Sequence, residues 1–193
     1  PEALSDAVVI YRELAAGEGR IADESLETLV ALALAPELRG TDLFGTVTIY
    51  LGELLDKSSV ERRPRIQFLL GNLEWQGGSA SLAAKDLEAV TADPEFGPKA
   101  LLLLGTIRLD GLNDPENAVR AFEEAHRGGL DPDEAGVAAY GRARGLFFMK
   151  SWDAAERAFA EVLTIPDLPR PMRGESENYL QRIRSTKETE HRD

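Results

Sequence analysis

Leu70-Gly71 and Leu104-Gly105 stand 34 residues apart, and behind each pair, past a turn signal, an alanine precedes a large apolar residue by four places. Those residues are Ala83/Leu87 and Ala118/Phe122, and Ala155/Phe159 makes a third copy. A period of this length, filled by two short helical segments, restricts the chain to a stacked array. A single helical hairpin cannot bury its own apolar face and must lie against neighbours. The expected fold class is all-α, a solenoid of helical hairpins, and such an array is a binding scaffold before it is anything else.

Glycine and proline cut the chain into about nine segments of helical periodicity and a last, more polar one, with no strand among them. The first spans 6–16, with Ala7, Ile10, Tyr11 and Leu14 on one face. The second starts at Asp23, read as an N-cap, and carries Leu26, Leu29, Val30, Ala33 and Leu34 at the spacing of an amphipathic helix before Pro36 and Gly40 end it. In the third, 43–56, Thr46 to Tyr50 reads locally as a strand because β-branched and aromatic residues dominate it. Phe44, Val47, Leu51, Leu54 and Leu55 nevertheless keep helical spacing over a length that strands seldom reach, so helix is expected.

From Arg63 onward the hairpins are 64–76 with 80–92, 97–110 with 115–127, and 133–149 with 152–164. Asp114-Pro115 and Asp131-Pro132 each put a carboxylate at the N-cap and proline at the first helical position, and Asp93-Pro94-Glu95 repeats that grammar. Ser79 and Ser151 are placed to cap the second helices of their hairpins. A helix over about 172–186 follows the Pro166–Pro171 break, and the polar residues 187–193 are expected to be disordered.

These residues resemble the tetratricopeptide repeat family, whose pattern is a bulky residue, Leu-Gly and an aromatic in the first helix, then Ala, an aromatic and Pro. Leu70-Gly71, Ala83, Leu87, Pro94 follows that order, as does Leu104-Gly105, Ala118, Phe122, Pro132 with an insertion near Asn113-Asp114. Ala143, Ala155, Phe159, Pro166 is the third copy, and Lys150 to Glu156 matches the family's inter-helix turn. Ala7 and Tyr11 look like the second helix of a repeat whose first helix is missing. The resemblance implies a right-handed α-solenoid forming one continuous domain: degenerate repeats over 1–62, three repeats over 63–166 and a capping helix over 167–186. It fails at Glu74 and Arg108, where an aromatic should follow Leu-Gly, and at Arg142, where a leucine should precede Ala143.

In this family the first helix of each hairpin lines a concave face that holds a peptide or a partner helix. The resemblance then assigns the face to Phe68, Asn72 and Trp75, to Leu102, Thr106 and Leu109, and to Tyr140, Arg144 and Phe147, with Arg65 and Lys99 one turn earlier. Each trio falls at i, i+4, i+7 on one side of a helix. The groove is expected to be mostly apolar with a few cations, suited to an amphipathic helix or to the apolar side chains of an extended strand. The competing possibility is that these large residues are core. A one-residue shift would place Ile66, Leu69, Leu70 and Leu73, then Ala100, Leu103, Leu104 and Ile107, inside, and would display Gln67, Glu74 and Arg108. The family's carboxylate clamp is rejected. Asn72 and Lys99 resemble fragments of it, but Leu103, Val137 and Gly141 stand where polar or basic residues belong.

No catalytic residue, cofactor or metal site is expected. His126, near a helix end, is read as complementing the helix dipole, and His191 lies in the tail. The loop 110–116 is read as a turn and helix cap rather than a calcium loop. Gly77-Gly78-Ser79 is read as an inter-helix turn rather than a phosphate cradle, since it lacks a Lys-Ser/Thr pair. Glu123-Glu124 is taken for helix-surface charge.

A net charge of −12 disfavours nucleic acid and anionic membrane surfaces as partners. The absence of cysteine removes disulfides, thiol catalysis and thiolate metal sites, and suits either redox compartment. The longest apolar run, Leu29 to Ala35, falls short of the roughly 18 residues of a membrane helix, and no signal peptide opens the chain. The expectation is a soluble protein of the cytoplasm or periplasm, bacterial by its Ala/Arg/Gly/Leu-rich composition. It begins at Pro1 without Met, so an upstream segment is expected. The expected function is a non-enzymatic scaffold binding a protein or peptide. Homo-oligomerisation through an apolar array end, and service as the helical regulatory domain of a larger protein or enzyme, are the alternatives.

Overall fold

A computed structural model describes residues 2–38 and 42–190; Gly40 and His191 lie outside the described residues. Among these, ten α-helices pack against their neighbours and no strand occurs. They are α1 Glu2–Ala15, α2 Arg20–Leu34, α3 Leu43–Lys57, α4 Arg63–Gln76, α5 Ala80–Glu88, α6 Gly97–Thr106, α7 Pro115–Arg127, α8 Pro132–Phe148, α9 Trp152–Leu163 and α10 Arg170–Glu190. The contacts cluster into two compact units, residues 1–89 with α1 to α5 and residues 90–193 with α6 to α10.

The strand-like stretch Thr46 to Tyr50 lies wholly within α3. Thr46 and Thr48 turn their hydroxyls back to donate to the carbonyls of Asp42 and Phe44, both at 2.8 Å, which accommodates them inside the helix. Val47, Tyr50, Leu51 and Leu54 then face the core at helical spacing. Burial of that stripe outweighs the local β preference.

The capping expectations divide. Asp131 accepts from the Glu134 N–H at 2.9 Å and Asp114 from Asn117 at 3.3 Å, whereas Asp93 is no helix cap: it accepts from Phe96 at 2.8 Å within the turn before α6, whose N-cap is Phe96. Ser79 and Ser151 occupy their N-cap positions without a side-chain capping bond. Asp23 is no cap: α2 starts three residues earlier behind Gly19, whose φ of 86° only glycine takes easily, leaving Asp23 in the first turn. α6 passes at its end into one π-turn, Ile107–Gly111. α10 continues to Glu190, so the expected disorder does not hold for 187–190. Lys187 reaches Asp153 at 2.6 Å and Glu156 at 2.9 Å on α9.

All three Ala/large-residue pairs are buried. In the first unit a Cβ on Gly71 would lie 2.8 Å from the Leu87 side chain, so α4 and α5 approach so closely that any larger residue there would make Leu87 shift. In the second, Phe122 of α7 is wedged between two glycines. A Cβ on Gly105 of α6 would lie 2.8 Å from its ring, and one on Gly141 of α8 would run into the same ring. Val119, one turn earlier, meets Gly145 in the same way. A large side chain entering a gap kept open by glycine on both sides sets how α6, α7 and α8 pack.

Candidate functional site

The first unit carries one of the three expected stripes. α4 turns Ile66, Leu70, Gly71 and Leu73 into the core and leaves Phe68, Asn72 and Trp75 half-buried along one side. Arg65 pairs with Glu27 and lies 3.6 Å from Asp23, so its charge is already balanced within the unit. Next to it, Arg62 is buried. Its Nε donates to Asp23 at 2.9 Å, and its Nη1 to the carbonyls of Ala15 and Gly17 at 2.8 and 2.6 Å. This guanidinium closes the C-terminal end of α1, where helix carbonyls lack intrahelical partners.

The second unit gathers the other two stripes differently. Lys99 is exposed and lies 3.6 Å from Glu134. Leu102 packs against a cluster containing Leu109 and Phe122, and half-buried Thr106 donates to the Leu102 carbonyl at 3.2 Å. Leu109, Tyr140 and Phe147, expected on an open groove, are core residues instead. The π-turn carries Leu109, and α10 covers the side of α8 that bears the other two. Tyr140 hydrogen-bonds Glu175, and Phe147 meets Tyr179 with ring centroids 4.8 Å apart. Arg182 sits over the Phe147 ring at 4.8 Å, while Tyr179 also stacks on Phe159 at 4.8 Å. Buried side chains cannot greet an incoming partner.

Arg144 is half-buried and committed. It holds Asp110 with two hydrogen bonds, 2.7 and 3.1 Å. Burial works against its charge, but the Asp110 carboxylate and the Tyr179 hydroxyl more than offset that and keep it protonated beyond its ordinary range. Burial, then Glu175, push the Tyr140 phenol up, so it stays neutral and acts as a donor. Asp110, Glu175, Tyr179 and Arg182 were missing from the expected set. The stripe Met172, Ser176, Tyr179, Ile183 at i, i+4, i+7, i+11 was the available signal for α10.

Of the three positions that break the repeat pattern, Arg108 and Arg142 make polar contacts between elements. Arg108 donates to the Asn117 carbonyl at 3.4 Å. Arg142 bridges Glu123 of α7 at 3.0 Å and Glu161 of α9 at 3.6 Å, so Glu123 is more than surface charge. Glu74 of α4 has its Oε2 buried without a hydrogen-bond partner, and burial, then the Asp86 carboxylate of α5, push its carboxyl up to about 7. A cleft of about 470 Å³ in the second unit is lined by Phe122, His126, Ala139, Arg142, Glu161 and Ile165, among others. His126 stands in the last turn of α7, as expected for a dipole partner.

Among the described residues no group of three or more His, Cys, Asp or Glu could hold a metal ion, and no helix is long and apolar enough to cross a membrane. Neither a protein-family model nor any curated protein matches the chain.

Proposed function

We propose that this chain is a non-catalytic protein-interaction scaffold, a right-handed α-solenoid of tetratricopeptide type that binds a peptide or partner helix along α4. The observation that carries the reading is the glycine-spaced wedge, Phe122 between Gly105 and Gly141, with Leu87 on Gly71 as its counterpart. Close approach at the positions of a 34-residue period is what stacked helical hairpins require. The binding face narrows to Phe68, Asn72 and Trp75, which stay half-buried while Leu109, Tyr140 and Phe147 are covered.

Trp75→Ala tests it. Pull-downs from the native organism's lysate, read by mass spectrometry with wild type and variant side by side, should lose their specific partner while the variant's stability falls by only about 1 kcal/mol. A loss of about 3 kcal/mol or more would make Trp75 a core residue and remove it from any groove. A second reading, self-association, is favoured by α1, where Val9, Ile10 and Leu14 are 51%, 55% and 43% exposed. A mass that stays monomeric across micromolar concentrations would end it.

A further inference from the structure

We propose that the cleft formed by α7, α8 and α9 binds a small aromatic carboxylic acid, with its ring against the apolar lining and its carboxylate on Arg127. The sequence makes the lining. Ala138 and Ala139 place two short side chains on α8 where larger ones would fill the space beside it. Phe122 of α7 and Ile165, just past α9, line the same space, which measures about 470 Å³. Clefts that hold small molecules run from roughly 300 to 1,000 Å³ and are mostly apolar with a few placed polar groups.

The charges decide what enters. Arg142 is already engaged, bridging Glu123 at 3.0 Å and Glu161 at 3.6 Å. A guanidinium held in this way is a flat, weakly hydrated plane that takes an aromatic ring on its face. Arg127 differs. It also lines the cleft, its Nε donates to the Glu123 carbonyl at 3.3 Å, and among the described residues no carboxylate pairs with it. It shares a second depression with Asp93 and Glu124 without an ion pair to either. The C-terminal end of α7 supplies only about half a negative charge. The Gly128 N–H already donates to the Glu124 and Ala125 carbonyls there. An exposed guanidinium beside an apolar lining, with no acid of its own in a chain of net charge −12, is matched by a carboxylate from outside. His126, on the same turn and in the same lining, adds a ring N–H donor.

Other occupants match the cleft less well. An uncharged aromatic molecule would fill the apolar lining and leave Arg127 without a partner. An aromatic amine would gain Glu123 and Glu161 only by taking them from Arg142. A carboxylate adds an ion pair and removes none. Every residue of the site belongs to the second unit, and the site does not rest on partner binding along α4.

The test titrates naphthoate into the full chain and follows the backbone amides by NMR. The amides of Phe122, Ala139 and Ile165 should shift together and saturate. Arg127→Gln, a change at an exposed position, should weaken binding about tenfold, the effect of one charge-assisted pair. Naphthylmethanol, which keeps the ring and lacks the charge, should bind the wild type about as weakly as naphthoate binds the variant. The proposal is overturned by the absence of saturable shifts at millimolar naphthoate, or by shifts centred on residues outside the cleft. Equal binding of the acid and the alcohol, or undiminished binding to Arg127→Gln, overturns it as well. Tighter binding of naphthylmethylamine than of naphthoate does the same, because Glu123 and Glu161 would then be the anchors.

Discussion

The two units of this protein solve one packing problem with different side chains. In the first, Leu87 rests on Gly71 and the core is almost wholly aliphatic. The C-terminal end of α1 is held by a buried guanidinium, Arg62, tied to two carbonyls and a carboxylate. In the second, an aromatic wedge, Phe122, touches glycines on two helices, and Phe159, Tyr179, Phe147 and Trp152 extend the aromatic packing to α10. A flat rigid ring fixes three helices by shape, whereas branched aliphatics specify less and need directional polar bonds beside them. The contrast teaches that the shape-poor unit is the one that depends on buried charge.

That contrast can be broken experimentally. The largest effect is expected for Phe122→Ala, which removes contacts with both α6 and α8 and should cost about 4 kcal/mol in urea unfolding. A loss below about 1.5 kcal/mol would mean the gap collapses and the ring is no wedge. Next is Arg62→Ala, expected to cost about 3 kcal/mol because Asp23 and the carbonyls of Ala15 and Gly17 lose their donor together. Arg62→Lys should not restore it, since a point charge cannot satisfy three acceptors lying in a fork. Full rescue by lysine would reduce the role of Arg62 to charge alone.

The smallest effect sharpens the comparison. Gly141→Ala should cost about 2 kcal/mol and Gly71→Ala about 1 kcal/mol, because a phenyl ring cannot retreat from a new methyl as a leucine can. Equal losses, measured as shifts in the urea midpoint at constant slope, would show that ring and leucine yield alike.

Much of the helical framework was legible in the sequence. Ala83, Leu87, Ala118, Phe122, Ala155 and Phe159 are buried as their spacing indicated, and α3 is a helix despite Thr46 to Tyr50. Asp131 and Asp114 cap as expected, while Asp23 is diverted to Arg62, 39 residues away, a pairing no local rule reveals. Of the three expected stripes, only the one on α4 keeps all three of its residues half-buried. Tyr140 and Phe147 have the right spacing for an open face, but spacing cannot say that α10 returns to cover them.

By itself, then, the sequence determined where helices form and which residues could meet one turn apart, because period, capping and glycine placement act within a few residues. Only the tertiary structure decided which apolar stripe is covered and which charges find partners. Arg144 on Asp110 and Arg142 between Glu123 and Glu161 are both set by packing between elements. Burial and electrostatic pairing depend on distances through space, and those exist only once the helices have packed.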